Sequence, residues 1–326
     1  MDALSDLLRV VRLDGAYFYG VDARAPWAVE SIPATRLAPR ILPEFEHLIS
    51  YHVLVSGTCW GGLVGKEPVR MEAGDVIVFP HGDAHRMSSS PAVRVVLDLQ
   101  QAPQPFPFRV KLGGERGEAA EFVCGFLGCD RGPFNPLLAA LPPRLHVRGT
   151  ADGWIAAYAK RAAAEQSSGR EGGALILTRL SELMFLEVVR RHLESLPSGE
   201  SGWLAGLRNP LVGRAITLLH ASPALPWSLA DLARRTGASR STLAERFTAL
   251  VGQPPMQYLA RWRMQIAAGL LAQGGAKIAD VAGRVGYDSD AAFSRAFKKA
   301  TGTPPTAWRR GVTRTGALRS DPVARP

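Results

Sequence analysis

Two short stretches carry polar side chains at spacings suited to gripping a surface rich in hydrogen-bond acceptors. In the first, Arg240, Ser241, Thr242, Ala244, Glu245 and Arg246 face outward on a helix whose Leu243 and Phe247 face inward. In the second, Ser289, Asp290, Ala291, Ala292, Ser294 and Arg295 stand in the same relation to Phe293 and Phe297. A guanidinium fork fits two acceptors at once, on a guanine edge or a phosphate, so Arg246 and Arg295 lead the candidates for such contacts. Lys298, Lys299, Arg309 and Arg310 follow as charges suited to phosphate, or else as solvated surface cations.

The elements that must position these residues form a degenerate repeat, in which Leu229 to Tyr258 reads again as Ile278 to Trp308. Ala230/Ala279, Asp231/Asp280, Ala233/Ala282, Gly237/Gly286, Ser239/Ser289, Leu243/Phe293, Phe247/Phe297, Gly252/Gly302, Pro254/Pro304 and Tyr258/Trp308 are the matched pairs. The offset is 49 residues up to the glycines and 50 beyond them, so the second copy has one extra turn residue. Each copy reads as helix, glycine turn, capping serine, helix, because a left-handed turn is cheapest for glycine and a serine satisfies the first free N–H groups of a helix. That is a helix-turn-helix, expected at about 228–251 and 277–300, whose second helix enters the major groove.

The second copy, from Ile278-Ala-Asp-Val-Ala-Gly-Arg-Val-Gly-Tyr287 through Phe293-Ser-Arg-Ala-Phe297 to Gly302-Thr-Pro304 and Trp308-Arg309, resembles the AraC/XylS-type transcriptional regulators. The resemblance covers roughly residues 209 to 310 and implies one long helix between the units. Pro255 to Ala272 is the candidate, with Tyr258, Leu259, Trp262, Ile266, Leu270 and Leu271 as its apolar stripe. Glu245 departs from the family, many of whose members carry a basic residue there; it either accepts from a cytosine amino group or is a surface charge without a DNA role. The resemblance further implies regulation of transcription, more often activation, with RNA polymerase as the partner of an activator.

Charge supports the same reading independently. From 203 to 326 there are 18 Lys/Arg against 6 Asp/Glu, whereas 1 to 202 has 21 against 23. The formal excess of +10 therefore sits in the last third of the chain, where it attracts a phosphate backbone and makes affinity fall with salt.

Between about 15 and 100 the texture changes to short apolar runs broken by Gly, Pro and Asp, as in a β-barrel or sandwich. Strand candidates are Tyr51 to Val55, Cys59 to Val64, Asp75 to Phe79 and Val93 to Leu99. Gly74-Asp-Val-Ile-Val-Phe-Pro80-His-Gly82-Asp-Ala-His85 resembles the second motif of the cupin family, with Ser89 in place of its final Asn. The first cupin motif, a close His pair followed by Glu, is not recognisable between Phe45 and Gly57; His47, His52 and His81 lie near but off the ligand spacing. A catalytic metal site needs several convergent ligands with an open position, so an enzyme is not expected. His52, Trp60 and His85 are the candidates for an effector pocket, with His85 readable equally as a turn histidine bonded to backbone. The effector is an unidentified small molecule or a metal.

Cys124 and Cys129, separated by four residues, and Cys59 beside Trp60 are candidates for oxidant sensing or metal binding; the commoner fate of a small buried cysteine is packing. Helices are expected at about 152–167 and 174–195, the second with a stripe of Leu177, Leu180, Met184 and Val188 widened by Leu183 and Val189. The stripe either covers its own barrel or pairs with its copy in a homodimer, and we expect the dimer.

The expected fold is multidomain β + α. A cupin-like barrel at 1–145 is followed by a helical linker at 146–202, ending in the flexible Leu196 to Gly202, by an all-α DNA-binding domain at 203–311 with two helix-turn-helix units, and by a disordered tail at 312–326. No apolar run reaches the length of a membrane span, and the start, Met-Asp-Ala-Leu-Ser-Asp-Leu-Leu, lacks a cleavable signal pattern, so a cytoplasmic protein bound to double-stranded DNA is expected. Two other readings are a cupin enzyme fused to a DNA-binding module, which requires bound metal and turnover, and an architectural protein that bends DNA without sequence preference.

Overall fold

The computed structural model describes the chain except residues 1, 11–12, 44, 46, 95–96, 99–108, 130–131, 151–152, 169, 198–199 and 311–326. The tail expected at 312–326 thus lies outside the described residues. In chain order the elements are α1 (Ala3–Val10), β1 (Leu13–Arg24), β2 (Ala28–Ser31), α2 (Ala34–Ile41), β3 (His47–Ser56), β4 (Thr58–Leu63), β5 (Val69–Glu72), β6 (Val76–Phe79), β7 (His85–Ser88) and β8 (Leu97–Asp98). They continue with β9 (Arg109–Gly113), β10 (Ala119–Cys129), α3 (Pro136–Ala140), β11 (Leu145–Val147), α4 (Trp154–Ser168) and α5 (Gly173–Ser195). Last come α6 (Trp203–Arg208), α7 (Pro210–Ala221), α8 (Leu229–Thr236), α9 (Arg240–Val251), α10 (Pro255–Ala272), α11 (Ile278–Arg284) and α12 (Asp290–Thr301).

Two compact units result. One contains Leu13–Asp130 and Leu141–Ser195, the other Met1–Arg12, Arg131–Ala140 and Leu196–Pro326. This differs from the expected blocks in two places. The helices at 154–195 belong to the barrel unit instead of forming a separate linker, and α1 and α3 belong to the helical unit.

The barrel unit has a six-stranded sheet in the order β11-β6-β3-β10-β1-β9 facing a five-stranded sheet in the order β5-β4-β7-β2-β8. Its core includes Trp27, Leu48, Leu54, Met71, Ile77, Met87 and Phe122. β3 is buried on both faces from His47 to Leu54, the polar Ser50 and His52 included. Leu48, His52 and Leu54 look into the sandwich, while Tyr51 looks outward, its hydroxyl 3.1 Å from that of Tyr158 on α4 and 3.0 Å from Ser181 Oγ on α5. Gly125 of β10 lies opposite Tyr51, where a Cβ would sit 2.3 Å from its hydroxyl, so that position must be glycine.

Expected strands at Tyr51 to Val55, Cys59 to Val64 and Asp75 to Phe79 fall within or almost within β3, β4 and β6, while of Val93 to Leu99 only Leu97–Asp98 is described as strand. The long central strands β1 and β10 were hidden by glycine, alanine and acidic residues that blur the alternation. In α5, Leu177, Met184, Phe185, Val188 and Val189 are buried against their own barrel, whereas Leu175, Ile176 and Leu183 are exposed. Leu183, placed in the stripe from spacing, is thus a surface residue at 52% exposure, because α5 contacts the barrel through only part of its circumference.

In the helical unit, α10 is nearly surrounded: Tyr258, Leu259, Trp262, Met264, Gln265, Ala267, Ala268 and Leu271 are all buried. Ile266 and Leu270 of the expected stripe are only partly buried against the second core, and Gln265 is a buried polar residue that the stripe did not contain. Elements pack on α10 from several directions, so its burial is wider than one stripe. Trp203 Nε1 donates to the Tyr258 hydroxyl at 2.9 Å, and His220 stacks on Trp262 with ring centroids 3.9 Å apart. The expected flexible stretch is tied at both ends, since Gly202 N–H donates to the Leu250 carbonyl at 2.8 Å and Arg208 donates to the Leu196 carbonyl.

Candidate functional site

The two helix-turn-helix units share one plan, except that α11 starts after Lys277 without a side-chain cap. Ser228 caps α8 and Ser239 caps α9, each accepting the backbone N–H three residues on, and Ser289 does the same for α12. Each such cap contributes about 1 kcal/mol. Gly237 and Gly286 make the turns at φ 73° and 78°. Leu243 and Phe247 on α9, and Phe293 and Phe297 on α12, are fully buried, which fixes which sides of the second helices face outward.

On α9, Arg240, Ser241, Thr242, Glu245 and Arg246 are exposed and Ala244 is half-buried. On α12, Ser289, Asp290, Ala291, Arg295, Lys298 and Lys299 are exposed, with Ala292 and Ser294 half-buried. Ser239 and Ser289 spend their hydroxyl oxygens as caps. Thr242 Oγ1 lies 2.8 Å from Ser239 Oγ, so it also serves the helix start. Among the described residues, no carboxylate engages Arg240, Arg246 or Arg295. Other cations of the unit are committed: Arg234 pairs with Asp231 at 2.6 Å, Arg263 donates to the carbonyls of Pro223, Leu225 and Gly286, and Arg309 reaches the Ala276 carbonyl at 3.3 Å. Through the repeat, Glu245 is the counterpart of Arg295 two positions after the buried Leu243 or Phe293, so the heads present opposite charge at equivalent outward positions.

The barrel unit contains a small, partly open apolar hollow. Val21, Val29, Met87, Val110, Leu112 and Phe122 line it, with Tyr19, Ser31, His52, His85 and Cys124 as its polar wall. Strand register assembles that wall: Tyr19 pairs with Cys124 across β1 and β10, and Cys124 with His52 across β10 and β3, all on the inward face. His85 arrives from the opposite sheet at the start of β7.

His85 Nδ1 lies 2.9 Å from the Asp83 carbonyl, His85 Nε2 lies 2.8 Å from His52 Nε2, and His52 Nδ1 lies 2.7 Å from Cys124 Sγ. A carbonyl only accepts, so neutral His85 carries its proton on Nδ1 and accepts at Nε2. His52 must then donate from Nε2 and accept at Nδ1 from the Cys124 thiol, which in turn is hydrogen-bonded to the Tyr19 hydroxyl. Burial favours these neutral forms: it pushes His85 down to about 4, drives His52 well down, and raises the Cys124 thiol well above its ordinary value.

Two sequence-derived sites need correction. Trp60 does not line the hollow: its β4 neighbours Cys59 and Gly61 face the core, so alternation turns Trp60 to the other side of the sheet. Cys124 and Cys129 do not form a pair. Five positions apart on one strand, they project to opposite faces, and all three cysteines are buried and unbridged. Burial pushes the Cys59 thiol up to about 12. Among the described residues no three His, Cys, Asp or Glu side chains are placed to hold a metal ion. His52 and Cys124 were recognisable as polar residues, but their convergence depends on a register between strands that β10's composition concealed.

Fold and site together define a class: a sandwich with an internal hollow, attached by sequence to a helical unit that displays two basic second helices. The chain matches the Cupin family over residues 2–194 and a helix-turn-helix domain family over 232–311. It is 34% identical over 316 residues to a Streptomyces lividans protein named as an AraC-like transcription regulator, covering 96% of this chain and 99% of that one. It is 28% identical to the HTH-type transcriptional regulator AlkR of Acinetobacter baylyi, covering 95% and 99%. Among solved structures, the DNA-binding domain of AdpA in complex with a target DNA matches at 29% identity and TM-score 0.31, covering 32% of this chain and 95% of that one. The chain belongs to the AraC-like transcription regulators that carry an N-terminal cupin domain. Among the described residues no helix is long and apolar enough to cross a membrane.

Proposed function

We propose that this regulator binds specific double-stranded DNA through Arg240, Ser241, Thr242, Ala244, Glu245 and Arg246 on one head and Ser289, Asp290, Ala291, Ala292, Arg295, Lys298 and Lys299 on the other. The observation that carries the reading is the pair of capped second helices with uncommitted outward guanidinium groups, both tied to α10. Two heads on one helix suit successive major grooves about one helical turn apart. The barrel is the sensing part. Its hollow favours a small-molecule effector over an oxidant, because a buried protonated thiol is a poor nucleophile toward dissolved oxidants.

The regulator acts in the cytoplasm, where its DNA is, and as an activator it contacts RNA polymerase. Leu175, Ile176 and Leu183, exposed on α5, support a homodimer through that helix. Light scattering on Leu183→Lys checks the dimer, and a monomeric wild type rejects it. Anisotropy of the full-length protein on its own upstream intergenic DNA against a shuffled duplex, at about 150 mM salt, tests the regulator reading. A clear preference is expected; equal binding followed by failure to enrich any site from random DNA rejects it in favour of charge-driven packaging.

A further inference from the structure

The polar wall of the barrel hollow has spent its donors. His85 Nδ1–H is held by the Asp83 carbonyl, His52 Nε2–H by His85, and the Cys124 thiol proton by His52. The Tyr19 hydroxyl is bonded to Cys124, and the Ser31 hydroxyl is turned to the Ile32 carbonyl at 3.4 Å. The Asp83 carbonyl sets the direction of the histidine and thiol bonds, so the chain cannot reverse while both rings are neutral. No lysine, arginine, aspartate or glutamate lines the hollow among the described residues. What remains toward a guest is almost entirely hydrocarbon and an aromatic face, with only acceptor capacity left on the wall hydroxyls of Ser31 and Tyr19.

A carboxylate entering such a site would lose its water and meet no donor or cation, so its charge would be buried uncompensated. A carbonyl would gain little. An apolar skeleton gains from burial, and a hydroxyl on it can donate to the acceptors left in the wall. We propose that the hollow binds a neutral, hydrocarbon-rich small molecule whose polar group, where it has one, is a hydrogen-bond donor such as an alcohol or phenol hydroxyl, and that it rejects carboxylates. This deepens the reading of the barrel as the sensing part and rests on it.

The test uses three probes of one skeleton, 4-isopropylphenol, isopropylbenzene and 4-isopropylbenzoate, titrated into the full-length protein at pH 7.5 by calorimetry and followed by thermal melting. The phenol is expected to raise Tm by about 5 °C or more near 100 times its Kd. The hydrocarbon is expected to bind more weakly, and the benzoate at least tenfold more weakly than the phenol. Benzoate binding as tight as the phenol overturns the proposal, as does no binding of phenol or hydrocarbon. Val29→Phe narrows the hollow and is expected to weaken the phenol at least tenfold; if it melts abnormally, Val110→Phe at the same wall replaces it. Unchanged phenol binding in a folded variant also overturns the proposal. Operator preference measured on the same sample separates the two readings: lost ligand binding with intact preference removes only the ligand class, whereas ligand binding without any preference removes the regulator reading.

Discussion

The backbone N–H of Phe134 donates to Oε1 of Gln265 at 2.9 Å, joining a loop that follows β10 to the long helix α10. Phe134 meets Tyr258 edge to face with centroids 5.4 Å apart, and the Arg261 guanidinium lies 4.4 Å above its ring. Gly132 passes so close to Gln265 that a Cβ there would sit 2.3 Å from Oε1. Residues of the barrel's sequence thus form part of the helical unit and fix α10, the helix on which both heads pack.

Gln265→Ala removes the acceptor and leaves a buried N–H unpaired, so it is expected to cost about 1–3 kcal/mol. Phe134→Ala is expected to cost about 3–5 kcal/mol. Denaturant unfolding of the full chain checks both, and a loss below about 0.5 kcal/mol for either variant contradicts the role given to this segment.

The heads should read different bases, since Glu245 and Arg295 occupy equivalent outward positions with opposite charge. Arg295→Ala is expected to lose about 1–3 kcal/mol at one or two base pairs and little elsewhere. Lys298→Ala should weaken every sequence similarly and reduce the salt slope by about 1. Glu245→Arg should shift preference only in the half-site of the first head. Competition assays over single-base variants of the operator distinguish these patterns; equal losses on operator and random DNA for Arg295→Ala contradict its assignment.

Acid should destabilise both units. His85 and His220 have pKa values lowered by burial to about 4 and about 3, below the model-peptide value near 6.5. The unfolded chain therefore binds more protons between those limits, and the stability these neutral rings support is present above about pH 6.5 and lost as pH falls. Each histidine should remove about 2 kcal/mol between pH 6.5 and 5, at roughly 1.4 kcal/mol per pH unit. Urea midpoints over this range check it, and a flat profile refutes it; His220→Gln should remove its own share of the slope.

The two turn glycines should respond unequally to alanine. Both have positive φ, which costs about 1–2 kcal/mol for a residue with a Cβ. At Gly286 that Cβ would also lie 2.5 Å from the Ala224 carbonyl oxygen, whereas at Gly237 it meets nothing within 4 Å. Gly286→Ala should therefore lower Tm more than Gly237→Ala, and equal shifts would contradict the packing described for the second unit.

The DNA-reading half was legible because its signals are local. Serine caps on α8, α9 and α12, glycine turns and buried Leu or Phe residues four apart mark the two units within a dozen residues each, and the boundaries of α10 follow from Pro255 and the polar stretch after Ala272. The barrel was legible only in outline. His85 stood out through its motif, but its partner His52 is set by the packing of β3 across the sandwich from β7, and Cys124 by the register of β10 on β3. Trp60 went wrong through a one-residue phase on β4, which local composition does not fix. The seat of Phe134 on Gln265 spans more than a hundred residues and leaves no local trace except a glutamine inside an apolar helix.

The most direct test of sequence-specific reading by two heads is selection from a random duplex library by the full-length protein at about 150 mM salt, followed by affinity measurement on the enriched site. The expected result is one motif with two unlike half-sites about one helical turn apart, bound at least about 10³-fold more tightly than shuffled DNA, with Arg295→Ala relaxing only one half. No enrichment, or a preference that vanishes when net charge is balanced by salt alone, would contradict it.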